Sequence, residues 1–192
     1  MPTVHLANSP AADELLAADP LALLIGMLLD QQVPMEKAFV GPYVLTQRLG
    51  HDLDARELAE MPAEQCAALF SERPAIHRFP GAMAARTQAL CAHVLERYGG
   101  SAEAVWTDAG SGQELLRRLT ALPGFGEQKA KIFLSLLGKQ FGVQPAGWQE
   151  AAGTYGETDV HRSVADIVDA ESLALVREYK KQAKQARAAA QP

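Results

Sequence analysis

The sequence predicts an all-α protein, and three observations carry that reading. Helix punctuation recurs along the chain, apolar residues repeat at 3.6-residue spacing, and strand signals are absent. Together they predict about nine to eleven helices.

Ser9-Pro10 offers a cap and a proline at the first helical position, opening a helix that runs to Ala17 or Ala18. Asp19-Pro20 repeats the device before Leu21–Leu29, a stretch apolar nearly all round, as a central buried helix would be. Asp54 can cap a short helix to Glu60, and Pro62 starts another through Phe70. Ser71 to Pro80 reads as loop. From Gly81 to Tyr98, Met83, Thr87, Leu90, Cys91, Val94 and Tyr98 form one apolar stripe, ended by Gly99-Gly100. Gln113 to Thr120 is a short helix, and Ala130, Phe133, Leu134, Leu137 and Phe141 stripe the next one. Phe141 to Glu157 holds four glycines, a proline, Trp148 and Tyr155, and reads as a long loop with at most one turn of helix. Asp159 resumes helix through Val168. Glu171 to about Ala189 is a further helix with a polar, fraying end.

Composition sets the bounds. At 192 residues the chain forms a single domain, 1–192, of one body or two small lobes. Hydrophobic content of 48% with 21% charged residues excludes global disorder. No apolar run reaches the roughly 18 residues of a membrane span, and Met1–His5 lacks a basic leader region. A cytoplasmic protein without a membrane role is expected. The two cysteines, Cys66 and Cys91, cannot build a four-cysteine iron–sulfur site, and Cys and His spacing supports no metal site. Cys91 falls on an apolar stripe and reads as a core thiol. The net charge of −5 argues against a molecule-wide attraction for nucleic acid. Locally, Arg117, Arg118, Lys129, Lys131, Lys139 and Arg162 gather around one turn and one downstream motif.

That turn is Leu122-Pro123-Gly124-Phe125-Gly126, set between two helices. Glycine permits positive φ and close approach of the backbone to a ligand, and the turn opens onto a helix N-terminus, which favours an anion. Such a hairpin can hold a nucleic-acid phosphate by its main chain; it can equally be a plain helical corner. Downstream lies Thr158-Asp159-Val160-His161-Arg162, upstream Leu28-Leu29-Asp30-Gln31-Gln32-Val33. Asp159 suits either a carboxylate placed against developing positive charge or a simple helix cap. His161 reads as support for the Asp159 turn, with a phosphate contact as the other reading. Gln31-Gln32 suits a wedge in a duplex or an ordinary helix end closed by Pro34.

In this order, the three motifs resemble the helix–hairpin–helix DNA glycosylase superfamily, which includes endonuclease III and 3-methyladenine DNA glycosylase II. The resemblance covers roughly residues 20–168. It implies a two-lobed helical fold without an iron–sulfur cluster. Residues 21–120 with the following hairpin helix would form one lobe, and 1–20 with 159–192 would contribute the other. It also implies base-excision repair: a base of duplex DNA is flipped out and its N-glycosidic bond hydrolysed, with Asp159 catalytic. Leu122, Pro123, Gly124, Phe125, Gly126, Lys129, Gln31, Gln32 and Arg162 would contact DNA. Gln128 stands where bifunctional relatives carry a nucleophilic lysine, so the expected enzyme is monofunctional, without lyase activity. Lys129, turned about 100° from that position, is expected to face a phosphate or solvent. Gln128, Trp148 and Tyr155 are candidates for the base pocket, with a small local core as the other reading of the two aromatics.

Asp159 follows Gly126 by 33 positions, longer than in compact members of the superfamily. The expected partner is lesion-containing double-stranded DNA, bound by a monomer in the nucleoid. No cofactor is implied, beyond a monovalent cation at the hairpin carbonyls. The alternatives are a helix–hairpin–helix DNA-binding protein that lacks catalysis and a helical protein-interaction domain. The lesion stays open among alkylated purines, damaged pyrimidines and mispaired bases.

Overall fold

The computed structural model describes residues 3–190; Met1, Pro2, Gln191 and Pro192, the ends of the predicted domain, lie outside them. Among the described residues the chain is all-helical: ten α-helices, three short 3-10 turns and no strand. Among the described residues, no helix is long and apolar enough to cross a membrane.

The helices are α1 (Pro10–Ala18), α2 (Pro20–Leu29), α3 (Met35–Leu49), α4 (Ala55–Glu60), α5 (Ala63–Ser71) and α6 (Pro80–Tyr98). They continue with α7 (Gly112–Thr120), α8 (Glu127–Gln140), α9 (Trp148–Ala152) and α10 (Ala170–Ala189). Most begin where the sequence places a cap. Asp19 accepts from the Leu21 amide at 2.8 Å, Asp54 from Glu57 at 2.7 Å and Ser111 from Glu114 at 3.1 Å, each satisfying an orphan N–H. Ser9 occupies its cap position without a side-chain hydrogen bond. The nearby carboxylate of Asp13 instead takes the Leu6 and Ala7 amides, both at 2.8 Å, and pins the preceding segment. Gly99 ends α6 in the left-handed region, and the Gly100 amide returns to the Val94 carbonyl.

Every residue from Leu21 to Leu29 is buried, so α2 is the axis of the molecule. It packs on α1 and α3, while α4 and α5 pack on α6, and α7, α8 and α9 pack together. One continuous apolar core runs through all three groups. Cys66 and Cys91 are both buried within it; burial pushes their thiols up to about 11 and about 12.

Three segments differ from the sequence reading. Helix α3 was not among the predicted elements: Pro34 at its start and Gly41-Pro42 within it hide its periodicity. The close approach of α2 explains Gly41, where a Cβ would lie 2.7 Å from Leu29 Cδ1. The predicted helix from Asp159 to Val168 is instead irregular chain followed by one 3-10 turn, Val164–Asp166. The segment from Phe141 to Glu157 is more ordered than a loop. Helix α9 and a 3-10 turn, Gly153–Gly156, pack against α8, and the Gly112 amide donates to the Ala146 carbonyl at 2.8 Å.

Candidate nucleic-acid interface

Helices α7 and α8 meet through a tight turn whose chemistry is written in four residues. The Phe125 amide donates to the Leu122 carbonyl at 3.0 Å, with Pro123 and Gly124 at the two central positions. Gly124 has φ +83°, the value a type II turn demands at its third residue, and Pro123 supplies the φ favoured at its second. Leu122 and Phe125 point into the core, where Phe125 packs edge-on to Phe133. The predicted contact role of these two residues is thereby confined to their main chain. A Cβ at Gly124 would meet Leu28 Cδ1 at 2.4 Å, so the turn sits directly on the end of α2.

Gly126 departs from the expectation of positive φ. It is extended (φ −78°, ψ 172°) and starts α8, with nothing within 4 Å of a Cβ built on it. As a glycine it cannot cap α8 with a side chain, so the first amides of α8 open toward that space.

Lys129 does not face a phosphate or solvent. Its ammonium donates to the carbonyls of Met27 (2.7 Å), Leu28 (3.0 Å) and Asp30 (3.3 Å), and lies over the Phe125 ring, 5.9 Å from its centroid. The physical reason is the end of α2: its last carbonyls have no helical partner and carry the negative end of the dipole. Burial, reinforced by the charge of Arg86, lowers the lysine to about 8, against the opposing pull of Asp30. Burial in turn raises the Asp30 carboxyl, with Lys180 and Lys129 acting the other way.

The same helix end carries the Gln31–Gln32 pair, and the two residues differ. The Gln31 side chain is held: Nε2 donates to the Leu28 carbonyl at 2.8 Å and Oε1 accepts from Arg86 at 2.6 Å. Gln32 is exposed, with φ +56°. Of the two predicted wedge residues, Gln32 is therefore the projecting one. Behind them sits His77, which the sequence reading left in an unremarkable loop. Its Nδ1 accepts from the Phe79 amide at 3.0 Å, so the proton belongs on Nε2, which donates to the Gln31 carbonyl at 2.9 Å. Burial is the largest influence on the His77 ring and lowers its pKa. Arg48 ties the same loop down through the carbonyls of Leu69, Glu72 and Pro74.

Asp159 lies on the surface with φ +55°, a conformation that Asp tolerates better than most residues. It caps no helix; Ser163 and Asp166 form the capping box of the 3-10 turn instead. The chain on either side is anchored. On one side the Ser135 hydroxyl donates to the Tyr155 carbonyl, and Gln128 Nε2 donates to the Tyr155 hydroxyl at 2.8 Å. On the other, one Asp166 oxygen accepts the Arg162 and Ser163 amides at 2.9 and 3.1 Å, and the other pairs with Lys139 at 2.5 Å. Asp159 follows Tyr155 by four positions, so their Cα atoms lie at most about 14 Å apart. The start of α8, Tyr155 and Asp159 thus share one region of the molecule.

Trp148 does not join them. Its ring fills the slot at Gly138, where a Cβ would meet the indole at 2.5 Å. Ten residues of α8 separate Gly138 from Gln128, about 15 Å along the axis. Trp148 packs in the α8–α9 contact, which matches the small local core that the sequence offered as its other reading.

The basic cluster also resolves differently. Arg118 pairs with Glu114 at 2.5 Å, Lys131 with Glu127 at 2.7 Å, Lys139 with Asp166, and Arg162 with Glu157 at 2.9 Å. Arg162 also donates to the Thr154 carbonyl at 2.6 Å, which turns the predicted DNA contact into a brace for the Asp159 segment. With the Lys129 ammonium bonded to three carbonyls, Arg117 is the one member of that group without an ion pair or side-chain hydrogen bond among the described residues. A cavity of about 580 Å³ lies elsewhere, between the first described residues, α1 and the start of α10. None of the predicted site residues lines it.

No family model matches the chain, and neither the curated proteins nor the solved structures contain a match to it.

Proposed function

We propose that this chain is a DNA glycosylase of the helix–hairpin–helix type, with the two-lobed arrangement of that superfamily and monofunctional chemistry. The observation that carries the reading is the pairing of two elements at one point. A type II turn at Pro123-Gly124 presents the uncapped start of α8, and that turn rests on the helix end bearing Gln31 and Gln32. The first element suits a phosphate held by main-chain amides; the second suits the gap left when a base is extruded.

In this reading, water adds to the sugar C1′ as the C1′–N bond breaks and its electron pair leaves with the base. Positive charge builds on the sugar, and the Asp159 carboxylate stabilises it and orients the water. Gln128 offers an amide where an imine-forming lysine would stand. It holds the Tyr155 oxygen as acceptor, leaving the phenol hydrogen free to donate to an extruded base. The partner is lesion-bearing duplex DNA in the nucleoid, bound by a monomer without a cofactor other than a monovalent cation at the hairpin. DNA binding without catalysis is the second reading, favoured by the ion pairing of most of the basic cluster and by the exposure of Asp159.

The test is base release from alkylated, deaminated and oxidised duplexes, followed by mass spectrometry. The wild-type chain releases a base, and Asp159→Asn lowers the rate by orders of magnitude with DNA binding retained. Binding without release by the wild type selects the second reading.

A further inference from the structure

With the basic cluster at the hairpin mostly paired, four cations without an ion pair among the described residues stand together on α10. Residues 170–189 hold Arg177, Lys180, Lys181, Lys184 and Arg187 against Glu171 and Glu178, in a chain of net charge −5. Only Arg177 forms an ion pair, with Glu36; the other four cations of α10 have none among the described residues. The helix runs unbroken to Ala189 rather than fraying.

The cations are ordered on its surface. Leu173 and Val176 pack α10 onto the body, and the same stripe continues as Lys180, Lys184 and Arg187, at spacings of three and four residues. The face that is apolar where it meets protein becomes cationic beyond it. Arg177 pairs with Glu36 in the first turn of α3, just after the Gln31–Gln32 loop, which places this stretch of α10 on that side of the hairpin, and the Lys180 charge reaches the Asp30 carboxyl. Lys180 to Arg187 spans about 10 Å along the helix, the axial rise of about three phosphates of one DNA strand.

We propose that α10 is a second backbone-binding element, in which Lys180, Lys184 and Arg187 hold phosphates of the same duplex on the Gln31–Gln32 side of the hairpin. The proposal rests on the DNA reading above. It supplies that reading with the sequence-independent attraction that the acidic chain as a whole lacks. The Asp169–Ser172 capping box closes the start of the helix, and Leu173, Val176 and the Arg177–Glu36 pair seat it on the body.

The experiment uses the full chain and an undamaged fluorescent duplex, with affinity measured from 50 to 200 mM salt. A variant carrying Lys180→Gln, Lys184→Gln and Arg187→Gln keeps its helicity, since glutamine and lysine have similar helix propensity. It is expected to bind at least about tenfold more weakly at 50 mM and to lower the slope of log K against log salt by about 2 to 3. Lys181→Gln, turned about 100° from Lys180, is expected to change little. An unchanged slope in the triple variant overturns the proposal, as does an equal loss per charge at Lys181. Gly126→Val is measured in parallel. If it weakens binding and the triple variant does not, only the α10 proposal falls; if the wild-type chain binds no duplex, both fall.

Discussion

The Lys129 ammonium donates to the Met27 carbonyl at 2.7 Å, so a residue of the hairpin helix closes a helix that ends about a hundred positions earlier in the chain. One side chain thereby sets the position of the hairpin against the Gln31–Gln32 loop. Lys129→Met leaves three carbonyls and the buried Asp30 without their cation, and is expected to cost about 1–3 kcal/mol in denaturant unfolding. Because Lys129 contacts no phosphate in this arrangement, its loss should not change the salt slope of DNA binding.

The same lysine predicts a pH dependence. Its pKa falls from 10.5 to about 8 on folding, so between those values the unfolded chain binds more protons than the folded one. Stability should therefore rise from about pH 8 toward 10.5, and that increment should vanish in Lys129→Met. Urea midpoints of both proteins across this range check it.

Gly124 and Gly126 should separate folding from binding. Gly124→Ala forces a side chain into positive φ and against Leu28, and is expected to destabilise by about 1–3 kcal/mol. Gly126→Val meets open space and an extended backbone, so its melting temperature should stay close to wild type while duplex affinity falls. Calorimetry with fluorescence anisotropy distinguishes the two; equal duplex binding by Gly126→Val would make the hairpin a structural corner.

Tyr155 and Trp148 should part company in the same way. Tyr155→Phe removes the hydroxyl beside Gln128 and is expected to slow excision with little change in stability. Trp148→Ala empties the slot at Gly138 and is expected to cost about 2–4 kcal/mol of stability, with excision by the folded fraction unchanged. Excision rates corrected for folded fraction provide the readout.

His77 should be fixed as its Nε2–H tautomer at neutral pH, which ring nitrogen-15 shifts report. Its lowered pKa means that the unfolded chain gains the proton first, so stability declines as pH falls below 6.5. Protonation of Nδ1 also breaks its bond to the Phe79 amide. Amide exchange at Gln31 and Phe79 should accelerate on acidification, before global unfolding does.

Much of this architecture was readable from local rules, and the misreadings have identifiable causes. Pro123-Gly124, Asp19-Pro20 and Gly99-Gly100 act through their own backbone preferences, so their effect shows without knowledge of neighbours. Lys129 could not be placed that way, because the carbonyls it serves belong to a distant helix end. The pairing of Arg118 and Lys131 did leave a local sign, since Glu114 and Glu127 each stand four residues earlier. Likewise Ser163-x-x-Asp166 carries a capping pattern that locates the turn after Asp159. Helix α3 was obscured because Gly41-Pro42 serves the packing of α2 at the expense of local helix propensity.

The anchors on either side of Asp159 have a consequence for selectivity. With Tyr155 tied to α8 at one end and Arg162 and Ser163 tied to Asp166 at the other, the carboxylate can swing only over the few residues between them. It is a stationary probe rather than a travelling one. If Asp159 acts on DNA as proposed, a nucleotide would have to be carried out of the helix to reach it, so the toll would fall on the DNA and be lightest where a base is already poorly stacked or badly paired. Discrimination between sound and damaged sites can then begin with the mechanics of the duplex, before any group on the base is read.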